Sequence, residues 1–379
     1  MDSRTAVVER QLRARIAGQD HAIQSLVDTV TVLQSGLGRP GRPLVSMLFV
    51  GPTGVEKTET ARALAATLRS GPDDYCRVDM SGFAQEHYVA SISGAPPGYA
   101  GSREGHTVFD AARIESTPGV PGIVLFDEVE KAHPTVLRSL LHILDNGLLR
   151  LASGTRELDF RNCIVILTAN LGVREAERTH RRTFRRFREL ARDLRNGQLA
   201  RGSDDVASLA GQLSYPPGMA GAELGVYARS VTRFFDPEFL NRLDHVILFD
   251  RVDRTTAATV AAREVHAYVD QAQQRGIRID VCPEVIDHLT DLGFNPTYGI
   301  RALHRTLRSE LTLPIARFLE AADDSAPGQP RTIEVALVDG EVHCRQATPA
   351  DLPPRQPPFP DPTRDTKRRT HNDHPTPDH

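Results

Sequence analysis

Short apolar runs and helix-like spacings alternate along the first two thirds of the chain. Four runs are nearly continuous in apolar residues, which is typical of strands buried on both faces: 45–50, 123–126, 163–168 and 245–249. Apolar residues recur at helical spacing in four other segments: 1–35, 57–69, 104–115 and 133–145. Strands that alternate with helices predict a parallel sheet with right-handed crossover connections.

From about residue 251 the pattern predicts a second, smaller unit. Its predicted elements are a helix, a short strand and two further helices, the last of them bent by Pro314: 253–275, 277–281, 283–292 and 299–322. Two alternating stretches around Asp339-Gly340 predict a hairpin with a two-residue turn. We therefore expect a large domain over residues 1–250 and a small α/β domain over 251–345.

Three segments have an unusual composition. Residues 174–201 contain ten arginines and four acids, and an apolar stripe along them predicts an arginine-rich helix. Residues 202–228 are rich in glycine, alanine and serine, which predicts a loop or linker, so that 174–228 forms an insertion. Residues 346–379 include nine prolines in 34 positions and predict a disordered tail.

The overall composition excludes several classes of protein. The 379 residues carry a net charge of −3, so no global field favours nucleic acid or a membrane surface. The N-terminus has charges throughout and does not resemble a signal peptide, and no apolar run approaches the roughly 18 residues of a membrane span. The four cysteines are widely separated, which predicts a protein of the reducing cytoplasm.

The first predicted strand leads directly into a segment that follows the P-loop pattern GxxxxGK[ST] at all but one position. In such a loop, backbone N–H groups and the N-terminus of the next helix face the phosphates. The lysine reaches the β- and γ-phosphates, and the hydroxyl holds Mg²⁺. The candidate nucleotide-binding residues are Gly51, Pro52, Thr53, Gly54, Val55, Glu56, Lys57 and Thr58.

Glu56 stands where the pattern has glycine. It adds a Cβ and a negative charge beside a polyphosphate, and a like-charge contact at about 4 Å costs several kcal/mol at intermediate dielectric. Only three of the 46 basic residues are lysine, and one of them is Lys57. Because arginine is bulkier and a poorer point charge there, the retained lysine indicates that the site needs an ammonium. Glu56 nevertheless puts nucleotide binding and hydrolysis in question.

Two acids follow the second apolar run. An acid at the end of a buried strand is costly unless it has a partner or a function. In a Walker B arrangement, Asp127 would serve Mg²⁺ together with Thr58, and Glu128 would polarise the attacking water. The alternative is a strand that simply ends in a polar turn.

From about residue 10 to 345 the chain resembles the Clp family of AAA+ protein unfoldases, specifically the C-terminal ATPase module of ClpB- and ClpA-type chains. Seven segments carry the resemblance in order: RIAGQDHAI, FVGPTGVEKTE, GAPPGYAG, LFDEVEKAHP, DFRN…TANLG, FFDPEFLNRLD and NPTYGIRALHR. The resemblance implies a P-loop AAA+ parallel sheet flanked by helices, followed by a small C-terminal lid domain, with ATP and Mg²⁺ as cofactors.

The resemblance also implies roles for matching positions. Glu128 would be the catalytic carboxylate, and Asn170 the polar sensor near the γ-phosphate. Arg301 would be a second sensor carried by the small domain. Ile16 and Ala17 fall where the family contacts adenine.

A further set of implied roles concerns neighbouring subunits and substrates. Arg242 would be an arginine finger supplied in trans, which implies a ring, in this family a hexamer, homomeric or mixed. Tyr99 would lie in an axial pore loop and grip a polypeptide that is threaded through the ring. The implied function is ATP-dependent protein unfolding or remodelling.

Alternatives remain open at this stage. Glu56 favours a catalytically weak or inactive relative that senses nucleotide or binds partners. A DNA-acting protein would need the arginine stripe of 174–201 to bind DNA, and the GYAG loop argues against it. A peptidase partner is unsupported, because Leu224-Gly225-Val226 matches the family's docking tripeptide poorly and Leu292-Gly293-Phe294 lies in the predicted small domain.

Overall fold

The structure, a computed structural model, describes these residues: 4–36, 41–85, 108–115, 119–150, 157–173, 175–176, 208–209, 211–217, 219, 221–296, 299–321 and 331–347. Two compact units make up this part of the chain. One takes in the described residues up to Ala261 together with Thr290–Thr306. The other takes in Ala262–Leu289 and the described residues from Leu307 onward.

A six-stranded parallel sheet forms the centre of the first unit. Its strands are β1 (Val45–Val50), β2 (Cys76–Asp79), β3 (Gly122–Asp127), β6 (Cys163–Ala169), β7 (Leu213–Ser214) and β8 (His245–Leu248). They lie in the order β2-β3-β6-β1-β8-β7. Every residue of β1, β3 and β6 is buried, as the continuous apolar runs predict. The predicted α/β fold with a parallel sheet is confirmed. A small antiparallel pair, β4 (Leu148–Arg150) and β5 (Glu157–Asp159), stands apart from this sheet.

Helices flank the sheet and link its strands. They are α1 (Arg4–Arg15), α2 (Asp20–Gln34), α3 (Lys57–Leu68), α4 (Ala111–Ile114), α5 (Pro134–Asn146), α6 (Gly221–Phe234) and α7 (Pro237–Leu240). The spacing predicts helical structure over residues 1–35, and the described part of this segment forms two helices. Gly18 separates the two helices with a φ of 72°, and a Cβ there would meet the Thr256 hydroxyl at 2.7 Å. None of the described helices is both long and apolar enough to cross a membrane.

The prediction of a loop over 202–228 is wrong in two places. Leu213–Ser214 pairs with β8 as the edge strand of the main sheet, and α6 begins at Gly221. Leu224, Tyr227, Ala228 and Val231 are buried at helical spacing, so α6 packs into the core despite its small residues. The arginine-rich part of the insertion from 177 to 207 lies outside the described residues, as do 104–107 of the predicted helix 104–115 and the predicted disordered tail from 348 onward.

The elements beyond residue 251 follow the predicted pattern closely. They are α8 (Arg254–Gln274), β9 (Ile277–Val281), α9 (Pro283–Gly293), α10 (Ile300–Leu307), α11 (Leu313–Ala321), β10 (Arg331–Val338) and β11 (Glu341–Gln346). A π-helical turn, Arg308–Thr312, joins α10 to α11 just before Pro314. The hairpin turns at Asp339 and Gly340, both left-handed with φ of 50° and 83°, as a two-residue type I′ turn requires. β10 pairs with β11 antiparallel and with β9 parallel.

Candidate nucleotide-binding site

The P-loop joins the end of β1 to the start of α3 at Lys57. Its backbone turns through two left-handed residues, Gly54 with a φ of 76° and Glu56 with a φ of 69°. Such turns present successive N–H groups to one side, and the N-terminus of α3 adds its partial positive charge there. The loop conformation therefore matches an anion-binding cradle.

Lys57 is the central charged group of this cradle, and its side chain is largely buried. Its Nζ donates hydrogen bonds to Gly51 O and Pro52 O, both at 2.6 Å, and to Asn170 Oδ1 at 2.9 Å. Burial lowers the pKa of Lys57 to about 7, although the Glu130 carboxylate acts to raise it. Its three direct partners are neutral oxygens, so an anionic ligand would supply the charge compensation that the ammonium lacks.

Asn170 links Lys57 to Glu130, an acid that was not among the predicted site residues. Its Nδ2 donates to Glu130 Oε1 at 2.8 Å while its Oδ1 accepts from Lys57. The other oxygen of Glu130 is buried and has no hydrogen-bond partner. The predicted polar sensor thus lies between the P-loop lysine and a carboxylate, at the carboxyl end of β6.

Asp127 ends β3 and is held on both carboxylate oxygens. Oδ1 accepts a hydrogen bond from the Thr168 hydroxyl, and Oδ2 accepts from Arg77 Nη2 at 2.6 Å. Its side chain is 9% exposed, whereas Arg77 is about half exposed. The Arg77 side chain therefore pairs a buried carboxylate from the solvent side and fixes its orientation.

Glu128, the predicted catalytic carboxylate, has a left-handed backbone with a φ of 60°. A non-glycine residue in this conformation costs about 1 kcal/mol or more, and such strain concentrates at functional sites. Its N–H donates to Thr168 Oγ1 at 2.9 Å, and its carboxylate pairs with Lys131. The hydrogen bond between the Lys131 ammonium and the Glu128 carboxylate raises the pKa of Lys131 above its ordinary value.

The sequence predicts the Glu56 carboxylate beside the phosphates, but in the structure it contacts a different segment. Its carboxylate oxygen Oε2 accepts a hydrogen bond from the backbone N–H of Ala17, 3.1 Å away. Ile16, the other predicted adenine contact, is buried, and its own N–H donates to Leu12 O at 2.9 Å. The structure thus brings Glu56 of the P-loop together with the predicted base-binding segment.

Arg301 lies at the start of α10, next to the P-loop. The adjacent Ile300 N–H donates to Gly54 O at 3.0 Å, and a Cβ on Gly299 would meet that same oxygen at 2.6 Å. The Arg301 guanidinium is close enough to act against protonation of Lys57. The predicted second sensor therefore approaches the phosphate-binding loop, and Gly299 makes that approach possible.

The structure does not bring Arg242 to this site. Its backbone oxygen accepts from the Ser46 hydroxyl at 2.7 Å, at the start of β1, and its guanidinium pairs with Asp145 of α5. The P-loop begins five residues further along the same strand, about 16 Å away at 3.3 Å per residue. Arg242 thus lies at the amino-terminal end of β1, whereas the P-loop of its own chain follows the carboxyl end of that strand. Tyr99 lies outside the described residues.

Four residues at the site were not selected by the sequence analysis: Arg77, Glu130, Thr168 and Gly299. Glu130 carried a signal, since it shares the segment DEVEK with the Walker B acids. Thr168 could be recognised only from pairing, because β3 and β6 are neighbours in the sheet. Arg77 lies on a four-residue strand in which every second residue is charged, so the sequence shows no apolar run there.

Mg²⁺ and ATP fit the residues that are present. The buried ammonium of Lys57 lacks a directly bonded anion, and a polyphosphate would provide one. Thr58 in the first turn of α3 and Asp127 offer the hard oxygen ligands that Mg²⁺ prefers. A bound Mg²⁺ would neutralise phosphate charge. Fold and site together define a protein of the P-loop class.

Comparisons with known proteins narrow this class. Residues 42–246 match the family described as AAA domain (Cdc48 subfamily). Residues 252–329 match the C-terminal, D2-small domain, of ClpB protein. An ATP-dependent protease ATP-binding subunit-like protein of Rhodococcus erythropolis is 42% identical over 345 residues, covering 90% of each chain.

Two other relatives extend the comparison. The ATP-dependent protease ATP-binding subunit-like protein AmiB of Pseudomonas aeruginosa is 42% identical over 323 residues, covering 85% of this chain and 81% of its own. Chaperone protein ClpB 2 of Thermosynechococcus vestitus is 36% identical over 344 residues, which are 90% of this chain but 34% of that chaperone. The chain belongs to the AAA+ ATPases, in their Clp/ClpB-like family, and the predicted family resemblance is confirmed.

Proposed function

We propose that this protein binds ATP with Mg²⁺ and hydrolyses it to unfold or remodel other proteins. The observation that carries the proposal is the chain of contacts from the P-loop lysine Lys57 through Asn170 to Glu130. It connects the P-loop to the sensor position and to the segment of the Walker B acids. A P-loop without nucleotide would have no need of this buried polar arrangement.

Each residue has a proposed part in the reaction. Lys57 and the loop N–H groups hold the phosphates, and Thr58 and Asp127 hold Mg²⁺. Glu128 accepts the proton of the attacking water, and the Lys131 ammonium orients its carboxylate. Asn170 and Arg301 stabilise charge near the γ-phosphate.

The proposed assembly is a ring, homomeric or mixed, and in this family a hexamer. Arg242 supports it, because this arginine lies far from its own P-loop and would reach a nucleotide only in a neighbouring subunit. We also propose that Tyr99 grips the threaded polypeptide. A boundary near residue 250 between a large and a small domain is supported by the two family matches that meet there.

A cytoplasmic location is supported by the thiols. All four cysteines lie within the described residues and are free. The names of two relatives mention an ATP-dependent protease, and no feature of the described residues favours a peptidase partner here.

The test follows loss of fluorescence from a reporter protein that carries an unstructured tail, with ATP turnover measured in parallel. The natural chain should unfold the reporter only with hydrolysable ATP. Glu128→Gln should still bind ATP and lose both activities. Tyr99→Ala should keep turnover and lose unfolding. Turnover without any effect on the reporter, under conditions where the ring forms, would reject the remodelling function.

A second candidate is a catalytically weak or inactive relative that senses nucleotide or binds partners. Glu56 favours it, because a left-handed glutamate interrupts the P-loop. Comparison of the natural chain with Glu56→Gly separates the two. Turnover within about threefold between them supports the ATPase, whereas turnover seen only in Glu56→Gly supports the weak or inactive relative. Absence of ATP binding in both chains would reject the enzyme altogether.

A further inference from the structure

The side chain of Glu56 joins two parts of the proposed nucleotide site. Its backbone belongs to the P-loop, directly before α3, while its carboxylate accepts the Ala17 N–H from the segment between α1 and α2. Glu56 is only 9% exposed, so this hydrogen bond is shielded from water. A charge-assisted hydrogen bond of this kind is about twice as strong as a neutral one.

Both backbone N–H groups of the predicted base-binding segment, those of Ile16 and Ala17, already donate hydrogen bonds. The N–H of Ile16 completes the end of α1 by donating to Leu12 O, and the N–H of Ala17 donates to Glu56. A purine ring offers nitrogen acceptors, and a carboxylate oxygen is an acceptor as well. One N–H group serves one acceptor well, so base and carboxylate exclude each other at Ala17.

We propose that Glu56 is an internal competitor for the base of the nucleotide, so that ATP binds only by displacing its carboxylate from Ala17. The inference rests on the proposed function, since it assigns a regulatory contact to the same site. It places the effect of the glutamate at the base subsite and not at the phosphates. The apparent affinity is the intrinsic affinity multiplied by the fraction of molecules in which the contact is open.

The charges around Lys57 agree with this placement. The carboxylates that act most on the Lys57 ammonium are those of Glu130, Asp127 and Glu128. The Glu56 carboxylate is directed instead to the α1–α2 segment. A simple repulsion between Glu56 and the phosphates therefore describes the geometry less well than competition at the base.

The test compares two ligands and four chains. Isothermal titration measures ATP, which has a base, and inorganic tripolyphosphate, which has none. The chains are the natural protein, Glu56→Ala, Glu56→Gln and the control Glu59→Gln. Both variants at position 56 keep the Cβ and its left-handed strain, so relief of strain does not contribute. Glu59 lies in the first turn of the same helix, where it pairs with Arg62.

Competition at the base predicts a gain of about tenfold or more in ATP affinity for Glu56→Ala, as expected for removal of a hydrogen bond to a charged group. Tripolyphosphate affinity should change less than twofold. Glu56→Gln should gain less than Glu56→Ala, because the amide oxygen still accepts from Ala17. Glu59→Gln should leave the ratio of the two affinities unchanged.

Other results overturn the inference. Equal gains for ATP and tripolyphosphate in both variants would indicate repulsion at the phosphates. Unchanged ATP affinity would reject competition while leaving the proposed ATPase intact. Failure of every chain to bind either ligand would reject the proposed function itself. If Glu56→Ala does not fold, the isosteric Glu56→Gln still separates the outcomes, since only repulsion predicts that it gains affinity for tripolyphosphate.

Discussion

Binding of a polyphosphate at Lys57 should take up a proton from solvent. Burial lowers the pKa of this ammonium to about 7 in the free protein, while its ordinary pKa is 10.5. A triphosphate beside Lys57 favours the charged form and so restores the higher pKa. Nucleotide affinity and protonation of Lys57 are therefore linked.

The size of the effect follows from these two pKa values. At pH 8 a group with a pKa of about 7 is protonated in only about one molecule in ten. Binding should then take up about 0.9 proton at pH 8 and about 0.5 at pH 7. Above pH 7 the affinity should fall by up to about tenfold per pH unit, which corresponds to about 1.4 kcal/mol.

Stability of the free protein should have the opposite slope. The unfolded chain binds more protons at Lys57 than the folded chain between about pH 7 and 10.5, because the folded pKa is lower. The free energy of unfolding contributed by this residue therefore rises with pH through that window. This contribution is lost progressively as the pH falls from about 10.5 to about 7, and below about 7 the loss is complete.

Titration calorimetry at pH 8 in two buffers of different ionisation enthalpy measures the proton uptake directly. At this pH the phosphates are already ionised, since their second pKa is about 6. Lys131→Arg is the matched control: it keeps an exposed cation on Glu128 and should show the same uptake. A binding heat that is the same in both buffers would refute the lowered pKa of Lys57.

Three further substitutions test separate contacts. Arg77→Met removes a partner of the buried Asp127 carboxylate, so it should lower the free energy of unfolding by about 1–3 kcal/mol. Mg²⁺ should recover more of this loss in Arg77→Met than in Arg77→Lys. Equal effects of Mg²⁺ on the melting temperatures of the two variants would contradict this. Gly299→Ala should weaken ATP binding at least tenfold, because its methyl group would meet a P-loop carbonyl oxygen at 2.6 Å. The control is Gly276→Ala, which has a similar left-handed φ and no atom within 4 Å of the added methyl group. It should leave ATP binding unchanged. Lys131→Met should change the free energy of unfolding by less than about 1 kcal/mol but lower kcat several-fold at constant KM. Lys131→Arg should restore kcat. An unaltered kcat in Lys131→Met would show that the ion pair does not orient the Glu128 carboxylate.

Much of the fold could be predicted from apolar periodicity, because the buried strands are short and continuous. β1, β3, β6 and β8 were all located within about two residues. Periodicity missed Cys76–Asp79, since charged Arg77 and Asp79 take its alternate positions. It also missed the start of α6, whose alanines and glycines resemble a linker until the sheet provides a surface for them.

Which site residues the sequence can point to depends on whether the contact is local or distant in the chain. Lys57 follows from motif spacing, and Asn170 follows from the family resemblance. The direction of the Glu56 carboxylate does not, because its partner Ala17 is 39 residues away in sequence. The role of Arg77 is likewise set by pairing between β2 and β3.

The central place of β1 in the sheet has a consequence for how the chain folds during synthesis. This strand pairs with β6 and β8, whose partner residues lie more than one hundred and nearly two hundred positions downstream. The P-loop is therefore held in shape only after about residue 250 has left the ribosome. Until then the apolar segment VSMLFV is without its neighbouring strands and is prone to aggregate, so early protection by chaperones should increase the yield of folded protein.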